Sequence, residues 1–372
     1  MLKKKAMLKK LILPGILALA LVLPDLFASA TKAASPPVVG TISIYGAWHA
    51  GNDFCTWGSV RDMVDFDIKN HWLIDRGDGV PSVNLVVLSF VHPLKLLNKT
   101  TDSQTSQGIP VGMTQEVVNY FKSRNIRVML SIGGITYVDA WNQALAANPT
   151  QFGLNAAEAA KRLGVGIEID YEENTNPNLT GLQAFINAYR SVLPYDATGN
   201  NHAARLTIDL AAGDRWLIAL CRKATADWLS TATPVLDYAN AMVPSKQPTN
   251  AATAQADWQE HVDGKPQFSP PILPLAPAKF TGALYIVTGT RAAPECAMFS
   301  GSLIDTTGNY VKTVVPNGAG TTVGMLGYMF WAAECPSTRR VCTTPPNTCE
   351  GGVGVGAKTY SVPIPMPPLR QN

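Results

Sequence analysis

The stretch Gly164-Val165-Gly166-Ile167-Glu168-Ile169-Asp170-Tyr171-Glu172 alternates between two kinds of residue. Successive side chains of a β-strand point to opposite faces, so the apolar residues would share one face and the acids the other. Neighbouring carboxylates on that face would lie about 6.6–7 Å apart, close enough to raise at least one pKa. A carboxylic acid that keeps its proton near neutral pH is what a general acid needs. Taken alone, the segment could also be an exposed acidic strand of an antiparallel sheet.

Strand and helix patterns alternate along the rest of the chain. Apolar residues indicate helices at 114–123, 155–163, 179–192, 214–229 and 251–262, with 297–303 as the only candidate before the last strand. Strands that alternate with helices indicate a parallel sheet, and eight strands favour a closed (β/α)8 TIM barrel over an open sheet. The eight segments with the character of strands are residues 38–45, 83–90, 126–132, 164–172, 205–210, 236–243, 280–287 and 324–331.

In a barrel, the acidic face of this strand would point in one predictable direction. One face of each barrel strand looks into the interior and the other packs on helices, so the apolar residues would meet the helices and the acids would face inward. Catalytic groups of such barrels lie at the C-terminal ends of the strands. Glu172 is therefore best placed to contact a ligand. Asp170 lies one layer deeper, and Glu168 lies deeper still, where it would tune the upper two acids.

Motifs on four of these strands resemble those of glycoside hydrolase family 18, the chitinases and endo-β-N-acetylglucosaminidases. The fourth strand of that family carries Asp-Gly-x-Asp-x-Asp-x-Glu, similar to Val165-Gly166-Ile167-Glu168-Ile169-Asp170-Tyr171-Glu172. Its third strand ends in Ser-x-Gly-Gly, similar to Ser131-Ile132-Gly133-Gly134. Tyr45-Gly46-Ala47-Trp48 is similar to a Tyr-x-x-Trp that often ends its first strand, and Trp331 to the tryptophan that ends its eighth. The resemblance covers about residues 38–331.

The resemblance implies a retaining hydrolysis in which the 2-acetamido group of the substrate replaces an enzyme nucleophile. Glu172 would be the general acid and later the base. Asp170 would bind the acetamido N–H and stabilise the cyclic intermediate, while Glu168 would help to set the charge of Asp170. No cofactor is expected. The partner would be a polysaccharide or glycan that contains N-acetylglucosamine.

The same resemblance suggests residues that bind the sugar. Trp331 would form the floor of the site, and Tyr45 and Trp48 would lie beside it, although aromatic residues near strand ends are often simply core. Gly133 and Gly134 would leave room for the sugar, or would form no more than a tight turn.

The sixth strand departs from the family, which usually has Met-x-Tyr-Asp there. This chain has Met242-Val243-Pro244-Ser245, which keeps the methionine and lacks both the tyrosine and the aspartate. Tyr285, Tyr328 or Asn240 would have to replace the missing hydroxyl, or the intermediate would be held less well. Asp209 on the fifth strand is also unexpected, and would add a fourth acid to the site if it points inward.

Three functions stay open from the sequence. The first is a glycosidase that hydrolyses the O-glycosyl bonds of β-1,4-linked N-acetylglucosamine polymers such as chitin. The second is a chitinase-like protein that binds carbohydrate with little turnover, although the acids at 170 and 172 favour the enzyme. The third is an endo-β-N-acetylglucosaminidase that acts on N-glycans with the same chemistry.

The first thirty residues have the composition of a signal peptide. Lysines 3, 4, 5, 9 and 10 precede an apolar segment at 11–23, and Ala28-Ser29-Ala30 has the form of a cleavage site. The apolar segment is shorter than the roughly 20 residues of a membrane anchor, is interrupted by Pro14 and is followed by Pro24, so we expect secretion to the exterior or periplasm. The expected organisation is a signal peptide at 1–30, a linker at 31–37, the barrel at 38–334 and a Cys/Pro/Gly-rich extension at 335–372.

Without the five lysines and Asp25 of the leader, 25 of the 30 basic and 26 of the 27 acidic residues remain, so the charge falls from +3 to about −1. This balance gives no reason to expect binding to nucleic acid or to a membrane after cleavage, and we expect a monomer. The six cysteines permit disulfides in a secreted chain, but their pairing cannot be deduced. We expect no metal site, because the cluster at 335, 342 and 349 has no Cys-x-x-Cys and no nearby histidine.

Overall fold

The structure, a computed structural model, describes residues 44–50, 62–74, 81, 83–211, 213–230, 232–242, 251–285 and 326–331. All of them belong to one compact unit of residues 34–372. The predicted leader, linker and C-terminal extension lie outside the described residues, and so does the predicted helix at 297–303.

Eight parallel strands form the centre of the molecule. Each pairs with its neighbours in the order β1-β8-β7-β6-β5-β4-β3-β2, and β1 also pairs with β2, which closes the ring. This pairing confirms the predicted parallel α/β class. The strands are β1 (Ile44–Ala50), β2 (Leu85–Val91), β3 (Arg127–Gly133), β4 (Gly166–Asp170), β5 (Leu206–Leu210), β6 (Ala239–Ala241), β7 (Phe280–Tyr285) and β8 (Gly327–Trp331).

Helices connect most of these strands. They are α1 (Met63–Ile74), α2 (Pro93–Leu97), α3 (Gln115–Lys122), α4 (Val138–Ala147), α5 (Pro149–Leu163), α6 (Leu179–Val192), α7 (Ile218–Lys223) and α8 (Ala251–Asp263). A π-helical segment, Ala224–Trp228, extends α7, and a small antiparallel hairpin of Thr105–Ser106 and Ile109–Pro110 follows α2. The segment between β7 and β8 lies largely outside the described residues.

The helix before the acidic strand has clear sequence signals at both ends. Asn148 caps its N-terminus by accepting a 3.0 Å hydrogen bond from the Gln151 N–H, and Pro149 occupies the first turn. Gly164 ends the helix with a φ of +65°, a conformation that glycine adopts without steric cost. The chain therefore turns at Gly164, and β4 begins only at Gly166.

Two groups of apolar residues pack against the strands, one outside the barrel and one inside it. The larger one packs between the strands and the helices, and it contains Val165, Ile167, Ile169 and Tyr171. The smaller one fills the inside of the barrel with Ile44, Trp48, Leu85, Val87, Met129, Tyr238, Ala283 and Met329. The apolar face of the acidic strand therefore meets the helices as predicted, which turns its acids toward the interior.

Each predicted strand overlaps an observed one, but several ends differ. Tyr45 and Trp48 lie inside β1, which continues to Ala50, and the sixth strand has only three residues. The helices α1, α2 and α4 were not predicted from the sequence. The predicted helix at 214–229 begins only at Ile218, because Leu217 before it has a φ of 52°, which interrupts helical geometry.

Candidate active site

Glu168 occupies the centre of the barrel and is fully buried. Both of its carboxylate oxygens accept hydrogen bonds from side chains that come from other strands. The indole N–H of Trp48 on β1 donates to Oε1 at 2.7 Å. The Nδ2 amide of Asn240 on β6 donates to Oε2 at 2.6 Å. The two donors favour the ionised form of the carboxylate, since an ionised carboxylate only accepts hydrogen bonds.

The Asn240 side chain links three strands. Its Nδ2 also donates to Oδ1 of Asp209 on β5 at 3.0 Å, and its Oδ1 accepts a 2.6 Å hydrogen bond from the Thr281 hydroxyl on β7. The strand register explains the contacts, because Asp209 pairs with Asn240 and Asn240 pairs with Thr281 across the sheet. The amide is thus bound by protein groups at both ends and is buried.

Asp209 lies inside the barrel as a fourth acid. It is buried, and burial raises its pKa well above the ordinary value. The negative charges of Glu168 and Asp170 raise it further, whereas the hydrogen bond from Asn240 acts in the opposite direction. None of the ion pairs within the described part of the chain involves Glu168, Asp170, Glu172 or Asp209. A cluster of this kind must hold protons near neutral pH.

Asp170 and Glu172 form a pair at the C-terminal end of β4. Asp170 is the last residue of the strand and is buried, whereas Glu172 lies beyond the strand and is partly exposed. Burial raises the pKa of Glu172 to about 7, although hydrogen bonds from the Ile135 backbone and from Asp170 lower it. The predicted strand at 164–172 is therefore too long at both ends, but the order of the acids from interior to mouth is as expected.

A hydrogen bond joins the carboxyl groups of Asp170 and Glu172 and acts on the pKa of each. Burial, followed by the charges of Glu172 and Glu168, raises the pKa of Asp170 well above its ordinary value. The bond to Glu172 raises it further, while the same bond lowers the pKa of Glu172. The pKa values of the two carboxyl groups therefore depend on each other, and both are raised. Oδ1 of Asp170 is buried and has no hydrogen-bond partner among the described residues.

Burial also raises the pKa of Glu168, to about 7, against the effect of its hydrogen bonds from Trp48 and Asn240. Glu168, Asp170, Asp209 and Glu172 therefore all have raised pKa values. Groups this close titrate as a set, and a proton that leaves one of them changes the proton affinity of the others.

Gly133 allows β3 to approach β4. A Cβ at this position would lie 1.9 Å from the carbonyl oxygen of Asp170 and 2.4 Å from Nε1 of Trp141, and the residue has a φ of +125°. A Cβ at Gly134, with a φ of +92°, would meet the ring of Phe90 at 3.1 Å. At Gly133 the missing side chain makes room for protein atoms. The geometry accounts for this glycine by close strand packing rather than by space for a sugar.

The other predicted sugar-binding residues lie in different places. Trp48 is buried beneath the mouth and contacts Glu168, so it acts within the acid network rather than as an open stacking surface. Met242 follows β6 and is partly buried, and its backbone N–H donates to Leu210 at 2.7 Å. Tyr45 and Trp331 lie on β1 and β8, but their side chains are outside the described set, and so is Pro244.

Sequence reasoning missed Thr281 as a member of the network. Its place was predictable in principle, because the alternation of β7 puts Thr281 on the same face as Ala283, which faces the interior. The register between β6 and β7 was required to show that Thr281 meets Asn240.

Comparison with solved structures identifies the fold. A GH18 chitinase from Pseudoalteromonas aurantia matches with a TM-score of 0.50 and 12% identity, over 77% of this chain and 93% of that one. The chain has a fold similar to that of the GH18 chitinases. Chitinases from Rhizomucor miehei and Aspergillus fumigatus also match, each at TM-score 0.45 and 12% identity, over 77% and 80% of this chain and 93% and 94% of theirs. No family model and no curated protein matches the sequence.

Three further findings concern only the described part of the chain. None of its helices is long and apolar enough to cross a membrane. It holds no group of three or more His, Cys, Asp or Glu side chains arranged to bind a metal ion. Cys221 is a buried free thiol, and the other five cysteines lie outside the described residues.

Proposed function

We propose that the protein is a secreted glycosidase that hydrolyses β-1,4-linked N-acetylglucosamine polymers of the chitin type, within a complete (β/α)8 barrel. The single observation that carries the proposal is the position of Asp170 and Glu172 at the C-terminal end of β4, where burial raises the pKa of both. Active sites of parallel barrels lie at this end. The similarity of the fold to GH18 chitinases supports the same choice.

Glu172 would protonate the glycosidic oxygen and later activate water. A pKa of about 7 suits a group that must give and accept a proton near neutral pH. Glu172 would carry the proton of the pair when the acetamido group of the substrate binds Asp170. The hydrogen bond between the two carboxyl groups keeps them in contact.

Asp170 would then serve the substrate. With the proton of the pair on Glu172, Asp170 is a buried carboxylate whose Oδ1 has no partner among the described residues. The acetamido N–H of a sugar would supply that partner, and the negative charge would stabilise the oxazolinium-like intermediate formed by the acetamido oxygen. Glu168, held by Trp48 and Asn240, would keep a negative field beneath Asp170.

The missing tyrosine of the sixth strand affects the expected rate of hydrolysis. Asn240 was one of three candidates to replace the missing tyrosine hydroxyl, but its amide already binds Glu168, Asp209 and Thr281. If Tyr285 and Tyr328, whose side chains lie outside the described set, do not supply the hydroxyl either, the intermediate would be held by fewer donors. The loss of one such donor slows a reaction about 10²–10³-fold. A slow enzyme, or a protein that binds chitin-type glycans with little turnover, is the second candidate function on this ground.

The test uses purified wild-type protein, Glu172→Gln and Glu158→Gln. Glu158 lies on the exposed side of α5 with its side chain 65% exposed, so its variant controls for the loss of one carboxylate. Each protein is incubated with chitin oligosaccharides and with a high-mannose glycoprotein, and new reducing ends are measured. We expect release by wild type and Glu158→Gln, but not by Glu172→Gln.

The product of this experiment also separates the alternatives. Release from the glycoprotein alone would identify an endo-β-N-acetylglucosaminidase. Equal binding of chitin oligosaccharides by all three proteins without cleavage would identify a binding protein and overturn the proposed hydrolysis.

A further inference from the structure

Two buried arginines face each other at the end of the barrel opposite to the acids. Arg127 begins β3, and Arg205 immediately precedes β5. Their side chains are 9% and 5% exposed, and both line one cavity together with Leu85, Met129, His202 and Tyr238. β4 runs between the two strands, and its first residue, Gly166, pairs with Met129 and lies against Arg205, whose Cβ would be 3.0 Å from a Cβ at this position.

Several N–H donors of these arginines lack a partner. Nη1 of Arg127 and both Nε and Nη1 of Arg205 are buried and make no hydrogen bond within the described residues. A buried donor without an acceptor destabilises the folded state, and does so more strongly when the group is charged. Three such donors beside one cavity are therefore a site that requires an acceptor.

The protein itself supplies little negative charge there. Asp237 is the nearby acid, and its Oδ2 accepts hydrogen bonds from Arg190 at 3.1 Å and from the Leu206 N–H at 2.8 Å. The positive field is strong enough to act on neighbouring groups. Burial and the charge of Arg205 lower the pKa of Arg127 to about 10, and burial with the charges of Arg127, Arg205 and Lys122 lowers that of His202 to about 4.

We propose that the Arg127–Arg205 cavity binds one small monovalent inorganic anion of the chloride class. The cavity has a volume of about 10 Å³, which is the size of a single water molecule or a single small ion. A phosphate group is too large for it. A water molecule would accept hydrogen bonds from the arginines but would leave both charges unbalanced. An anion meets both requirements, since it accepts from several N–H groups and offsets the repulsion between the two guanidinium groups.

The expected consequence is structural. The anion would join the N-terminal ends of β3 and β5 beneath the acid network and stabilise the folded chain by its binding free energy. It is independent of the proposed hydrolysis, because the cavity is lined by the first residues of the strands and not by the acids at their C-terminal ends.

The experiment measures thermal unfolding of the full chain in sodium chloride and in sodium gluconate at equal ionic strength, since gluconate is too large for the cavity. We expect a Tm about 2–4 °C higher in chloride. Arg205→Met should lose this difference, while Arg162→Met, which alters an exposed arginine of α5, should keep it.

Crystals soaked in sodium bromide provide a second measurement on the wild-type protein, so the proposal stays testable if Arg205→Met does not fold. Anomalous density for bromide between Arg127 and Arg205 supports the site. Equal Tm values in the two salts together with no bromide in the cavity would overturn it, and would leave water as the occupant.

Discussion

The indole N–H of Trp48 lies 2.7 Å from Oε1 of Glu168, and the two residues are 120 positions apart in the chain. The bond crosses the inside of the barrel from β1 to β4. It joins a residue taken from the sequence as a sugar contact to the most deeply buried acid of the site. The stability of the folded state should therefore depend on this bond.

Trp48→Phe should destabilise the protein in a pH-dependent way. The variant removes a hydrogen bond to a carboxyl group whose pKa is about 7, and such bonds are worth about 1.5–3 kcal/mol when the acceptor is charged. We expect a larger loss of the free energy of unfolding at pH 8, where Glu168 is ionised, than at pH 5. Urea unfolding at the two pH values measures it.

Trp141→Phe is the matched control. Its indole N–H donates at 3.1 Å to the backbone carbonyl of Ile132, an acceptor that does not titrate. The loss in this variant should be the same at both pH values. A pH-independent loss for Trp48→Phe as well would show that Glu168 does not ionise in this range.

The stability of the wild-type protein should fall between about pH 4.5 and pH 7. The pKa of Glu168 is raised from 4.5 to about 7 in the folded state, so the folded state binds more protons than the unfolded state in this window. The free energy of unfolding therefore decreases as pH rises through it. Glu168→Gln should flatten the slope, and the exposed Glu158→Gln should retain it. Parallel slopes in all three proteins, measured by urea unfolding, would contradict the assignment.

Gly133→Ala should be much more damaging than Gly134→Ala. The new Cβ at 133 would lie 1.9 Å from a backbone oxygen of β4, which cannot move without disturbing the sheet. At 134 it would meet the Phe90 ring at 3.1 Å, and a side chain can shift. We expect a loss of at least about 3 kcal/mol at 133 and about 1–2 kcal/mol at 134. Equal losses in denaturant unfolding would mean that β3 and β4 can separate.

The pH profile of hydrolysis should have a basic limb near pH 7. Above it Glu172, with its pKa of about 7, no longer carries the proton that it must donate. Asp170→Ala removes the hydrogen bond that lowers the pKa of Glu172, so the limb should move to higher pH. We also expect kcat to fall about 10²–10³-fold, because the acetamido group loses its acceptor. A limb that stays in place would assign the titration to another acid.

Pro244→Tyr tests the departure in the sixth strand. If the missing tyrosine hydroxyl limits the reaction, the variant should raise kcat on chitin oligosaccharides. Unchanged or lower activity would mean that the site holds the acetamido group in another way.

The fold class and the orientation of the acids were available from the sequence. Alternation with a period of two is a local property of a strand, so Ile167 and Ile169 turn to one face and Glu168 and Asp170 to the other in any sheet. The helix signals were also local, as Asn148 and Gly164 show at the ends of α5. Helix α1 was missed because its apolar residues do not recur on one face of the helix, which leaves a weak apolar pattern.

The partners of these acids were decided by the tertiary structure alone. Trp48 and Asn240 both contact Glu168 because the strand order brings β1 and β6 to the same interior layer as β4. Arg127 and Arg205 line one cavity at the other end because β3 and β5 lie on either side of β4. The residue pattern determined which face each side chain occupies, whereas closure and register determined what it contacts, since both depend on strands far apart in the chain.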